Sequence, residues 1–131
     1  MKFISHSVKN VSYSSVSWHE SRGMAGVRYG IRRISLERRI ALTKHARELL
    51  NGHEFLKAGG AAEQLEASLA ELLVRKLYLE WALEEVTGLS IDGQPATVSL
   101  VIERGPEALA NEIGETIRAE LELSEEERKN S

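Results

Sequence analysis

AAEQLEASLAELLVRKLYLEWALEEV, residues 61–86, decides how the rest of this 131-residue chain is read. The run holds no Gly or Pro in 26 residues and is rich in Leu, Ala and Glu, a composition that favours one long helix. Gly59-Gly60 precede it and Gly88 follows it, which predicts a break on one side and a left-handed cap on the other. At about 100° per residue, Leu65, Leu69, Leu72, Leu79, Leu83 and Val86 fall on one stripe, the face expected to meet a core. Val74, Leu77, Tyr78 and Trp81 lie on the opposite side. A helix that is apolar on both sides needs two covers, and the second is either more of this chain or another molecule.

Working outward, Val27-Arg28-Tyr29-Gly30-Ile31-Arg32 alternates, with Val27, Tyr29 and Ile31 on one face and arginines on the other. It follows a Ser- and Val-rich stretch from Val8 to Trp18 and a loop with two glycines, a pattern that predicts a β-hairpin. Because two strands alone are marginal in water, the hairpin must lean on the helices or on a neighbour's edge. Ser35 is a good N-cap for a helix from Leu36 to about Leu50, with Leu36, Ile40, Thr43, Ala46 and Leu50 as its inner stripe. Asp92-Gly93 with Pro95 marks a tight turn, and Thr97 caps a short helix from Val98 to Arg104. Gly105-Pro106 opens a last helix to about Glu122, striped by Leu109, Ile113, Ile117 and Leu121. The expected fold is α+β, mainly α: an N-terminal β-hairpin arm (residues 1–34), then a helical domain (residues 35–131). That domain is a bundle of about four helices around one long central helix, and the whole forms a single compact domain.

The composition narrows the function classes. There is no cysteine, so no disulfide framework or thiolate metal site, and no stretch approaches the ~20 apolar residues of a membrane span. A soluble, intracellular protein is the expectation. The net charge of −3 hides a division: residues 1–60 hold 11 Lys and Arg against 4 Glu, net +7, and residues 61–131 hold 6 against 16 acids, net −10. Such halves can fold against each other, or the basic end of one copy can meet the acidic end of the next.

Motifs for chemistry are missing. His6, His19, His45 and His53 show no metal-ligand spacing, Ser occurs without a nucleophile motif, and the acids look like solvated faces. No catalytic residue, cofactor or metal is therefore expected. Arg28, Arg32, Arg33, Arg38 and Arg39 form a basic surface that would suit nucleic acid, yet only one aromatic sits among them and the hairpin is too small for a stacking platform. What remains is Val74, Leu77, Tyr78 and Trp81, either core beneath the hairpin or a partner-binding patch, since Trp and Tyr are favoured at contact sites.

The chain resembles a group of small proteins from the tail-gene region of long-tailed bacteriophages, regarded as tail assembly chaperones or minor tail components. The likeness runs through residues 27–39, 54–59, 77–83, 88–97, 103–109 and 125–130 and leaves residues 1–25 outside. It implies a non-enzymatic protein of the host cytoplasm that binds the tape-measure or tail tube protein during morphogenesis and associates with itself. The alternatives are a structural tail or connector subunit of the virion that assembles through its N-terminal hairpin, and a nucleic-acid binder that uses the basic hairpin.

Overall fold

The computed structural model describes the backbone of residues 16–129 and the side chains of residues 16–122. The chain is α+β and mainly helical, in the order β1 (Val16–Glu20), β2 (Arg28–Arg32), α1 (Leu36–Leu49), α2 (His53–Lys57), α3 (Ala61–Ala82), β3 (Leu83–Thr87), β4 (Ser90–Ile91), β5 (Gln94–Pro95), α4 (Val98–Arg104) and α5 (Glu107–Lys129). Gly52, at φ 76°, bends the chain between α1 and α2. Taken as one bent helix, they complete the expected bundle of about four. The predicted strand residues before Val16 lie outside the described residues.

Two boundaries differ from expectation. The long helix stops at Ala82, four residues short of Val86, and Leu83–Thr87 turns into a strand. Leu83 is still tied to the helix by its N–H to the Leu79 carbonyl, but its own backbone is extended, at φ −78° and ψ 122°. The physical reason is the free edge of the hairpin. β3 pairs antiparallel with β2, so the two marginal strands become a three-stranded sheet in the order β1-β2-β3. The register shifts between Gly30 and Ile31: Gly30 faces Glu85, Ile31 faces Leu83, and Glu84 is the extra residue of a bulge. That extra residue lets Leu83 and Val86 both face inward. The last helix is the second difference, since its backbone continues past Glu122 to Lys129.

Other local signals act as their chemistry requires. The Ser35 hydroxyl accepts from the Arg38 N–H and the Thr97 hydroxyl from the Leu100 N–H, each capping its helix. Asp92 and Gly93 take positive φ, 52° and 78°, in the tight turn between β4 and β5. Gly88 is left-handed as expected, at φ 80°, but it follows a strand and passes so close to the Gly26 carbonyl that no side chain fits.

The core brings every layer together. Val27, Tyr29 and Ile31 of the hairpin, Leu79 and Ala82 of α3, Leu83 and Val86 of β3, Ile91, Val101, and Leu109, Ile113 and Ile117 of α5 form one buried cluster. The predicted inner stripe of α5 is thus correct.

The predicted inner faces of α1 and α3 need correction. On α1, Leu42 and Ala46 are buried while Leu36 and Ile40 are exposed. On α3, Leu65, Leu69 and Leu72 were expected inside, and they are 72%, 52% and 46% exposed. The rest of that stripe, Leu79, Leu83 and Val86, is buried as expected, and Ala67, Val74 and Ala82 face inward as well. Helices α1, α2 and α5 pack on the side of Val74, and the leucine side is covered only from Leu79 on, beside Ile102 of α4 and Ala110 of α5.

Candidate functional site

Val74, Leu77, Tyr78 and Trp81 lie on the covered side of α3. Val74 is buried, and the other three are half-buried. Trp81 meets α1: the Arg38 guanidinium stands 4.5 Å from its ring centroid and the His45 ring 5.3 Å, so one cation–π contact and one tilted stack screen the indole. Val74 and Tyr78 instead border a groove of about 370 Å³ between the α1–α2 bend, α3 and α5, whose rim carries His53, Glu71, Arg75 and Arg118. His53 Nε2 is hydrogen-bonded to Glu71 across that rim. Burial raises the Tyr78 hydroxyl above its ordinary pKa; Arg118 pulls it down and Glu122 pushes it up.

The face left open is the other one. Leu65, Leu69, Leu72 and Leu73 project from the first four turns of α3, and Phe55 of the short α2 is 80% exposed nearby in sequence. Glu63 secures the start of this helix: its carboxylate accepts the Gly60 N–H at 2.9 Å. Where the open face ends, a small cavity of about 160 Å³ is lined by Leu72, Arg75, Lys76, Leu79, Ile102 and Asn111. Asn111 Oδ1 is buried without a hydrogen-bond partner among the described residues. Sequence periodicity assigns Leu65, Leu69 and Leu72 to the core and does not single out Leu73, because a stripe of that kind carries no mark of which part is covered.

Four of the five arginines of the basic surface are spread over three kinds of contact. Arg28 stacks over Trp18, 5.2 Å from its centroid. Arg32 is paired with Glu84 of β3 at 2.8 Å, and Arg38 covers Trp81. Arg39 donates to the Leu121 carbonyl of α5 at 3.4 Å, while Arg33 is exposed.

A polar hub had no signal in the sequence. Glu112 of α5 accepts the Ser21 hydroxyl at 2.9 Å, the Arg22 and Gly23 N–H groups at 3.0 and 3.4 Å, and the Tyr29 hydroxyl at 3.0 Å. One turn along, Thr116 Oγ1 lies 2.9 Å from the same tyrosine oxygen, and a further turn along Glu120 meets His19 at 2.8 Å. Burial, the largest single influence, pushes the Glu112 carboxyl up, but its four donors together outweigh it and hold the pKa below the ordinary value. Burial raises Tyr29, and the Glu112 charge and hydrogen bond add to the rise. The hub ties the hairpin loop to α5.

Among the described residues, no cluster of three or more His, Asp or Glu is placed to hold a metal ion, and no described helix is long and apolar enough to cross a membrane. The basic and acidic halves of the sequence meet within the molecule, at His19–Glu120, Arg32–Glu84 and His53–Glu71. Comparison with protein-family models, with curated proteins and with solved structures finds no match to this chain.

Proposed function

We propose that this chain is a non-catalytic protein-binding protein, chaperone-like, that presents the outer face of α3 to an amphipathic helix of another protein. One observation carries this reading: Leu65, Leu69, Leu72 and Leu73 stand exposed on one face of a single well-capped helix. Four large aliphatic side chains on one surface are costly in water and suit a helix laid along them. The resemblance to phage tail-region proteins supplies the class of partner, the long helical tape measure that must stay soluble while tube subunits polymerise. The experiment is co-expression of this chain with a tape-measure protein of a long-tailed bacteriophage, followed by measurement of soluble tape measure. Wild type is expected to raise the soluble fraction and Leu69→Asp to abolish the rise. An equal soluble fraction with or without this chain would overturn the reading.

A second reading, a structural virion subunit, is favoured by β1. Among the described residues it is an edge strand, paired only with β2, and it carries the exposed Trp18. An open edge can add a neighbour's strand. Stoichiometric presence in purified particles, measured by mass spectrometry, supports this second reading over the chaperone.

A further inference from the structure

We infer that a second copy of this chain covers the outer face of α3, with the two helices antiparallel about a two-fold axis between Leu69 and Leu72. The exposed residues Ala62, Leu65, Leu69, Leu72 and Lys76 are spaced alternately by three and four. That is the seam of a coiled coil, with Ala62, Leu69 and Lys76 at one heptad position and Leu65 and Leu72 at the other. The next residue in the series, Leu79, is only 1% exposed. The open strip therefore closes where α4 and α5 begin to cover the helix.

Charge decides the direction. Glu66 flanks the strip near its start, and Arg75 and Lys76 mark its end. Parallel copies would bring Lys76 against Lys76 inside an apolar seam, which is repulsive. Antiparallel copies place Leu69 of each against Leu72 of the other, and Lys76 against Leu65 of the other. The Lys76 ammonium then arrives beside Glu66 of the second copy, and symmetry makes the contact twice. Among the described residues, neither Lys76 nor Glu66 forms an ion pair within its own molecule. Leu73 lies at the edge of the seam and extends it. The cavity beside Leu72 and Lys76 sits opposite Leu65 of the second copy.

This pairing uses the same leucines as the proposed partner helix, so copy and partner compete, but it does not depend on any partner existing. A polar residue at a seam position lowers affinity while fixing register, which suits a reversible dimer that yields to a longer helix.

The native chain has no cysteine, so introduced thiols report contacts cleanly. Leu65→Cys and Lys76→Cys change exposed side chains, and circular dichroism of each variant confirms folding. Mixed under mild oxidation at tens of micromolar, the two variants are expected to give a disulfide-linked heterodimer, while each alone gives little product. Two copies of residue 65 would be 11 residues apart along the seam, about 16 Å at the rise of a helix. Strong crosslinking of Leu65→Cys to itself would contradict the antiparallel direction. In sedimentation velocity, Lys76→Glu is expected to weaken the dimer several-fold and Glu66→Lys/Lys76→Glu to restore it. A chain that is monomeric at every concentration, with no heterodimer formed, overturns this inference. If that monomer still solubilises the tape measure, the proposed function stands without it.

Discussion

The two faces of α3 differ in what covers them. Its covered face carries Ala67, Val74 and Ala82 with the screened rings of Tyr78 and Trp81, and its open face carries four leucines. Hydrophobicity alone would place the leucines inside. What separates the faces is where the neighbours lie: α1, α2 and α5 pack on the side of Val74, Tyr78 and Trp81, and the leucine side is covered only from Leu79 on. Apolar composition identifies a helix that needs covering, but the placement of the neighbours decides which part is covered.

The contrast between the faces is sharpest in truncation. Leu79→Ala removes a side chain from the shared core and is expected to cost ~2–5 kcal/mol, measured by urea unfolding. Leu72→Ala, on the open face, is expected to cost only about 1 kcal/mol, because half the side chain is already in water. Equal losses in the two variants would make the faces equivalent and remove the distinction.

The hairpin-to-α5 clamp gives the next largest effect. Glu112→Ala leaves the Arg22 and Gly23 N–H groups and the Tyr29 hydroxyl without their shared acceptor, at an expected cost of about 1–3 kcal/mol. Faster hydrogen exchange confined to residues 20–29 would check it. Because the Glu112 pKa is lowered by folding, its contribution is fully present above the unfolded carboxyl range and is lost as pH falls through the lower folded value. Acid unfolding of Glu112→Gln is therefore expected to be shallower than that of wild type over that interval. Identical acid profiles would show that the carboxylate is not held by the loop.

Trp81→Ala tests the covered face from its rim. It removes the Arg38 cation–π contact and the His45 stack, the first worth roughly 0.5–1 kcal/mol at such a site, plus the packing of a half-buried indole. Association is expected to be unchanged. Lost association with stability intact would instead return the working surface to the tryptophan side.

Much of the fold is legible in the residues. Ser35 and Thr97 announce their helices through their hydroxyls, Asp92-Gly93 announces its turn through left-handed backbone, and the alternation of Val27, Tyr29 and Ile31 marks the sheet's inner face. The end of α3 was not legible, because Leu83-Glu84-Glu85-Val86 suits a helix as well as a strand and only the hairpin's free edge selects the strand. Glu112 was equally silent. It is one acid among many on a solvated helix, and its four donors come from residues some 90 positions away. The leucine stripe is visible in the sequence and its second half, Leu79, Leu83 and Val86, is buried as expected, but nothing in the residues marks its first half, Leu65, Leu69 and Leu72, as open.

The most direct test of that face sets folding against association in one variant, Leu69→Asp. Its urea midpoint, taken at a concentration where wild type is monomeric, is expected to match wild type, while sedimentation at high concentration shows the dimer gone. A large drop in the midpoint with association unchanged would mean that Leu69 belongs to the interior and that the open face of α3 is not a working surface.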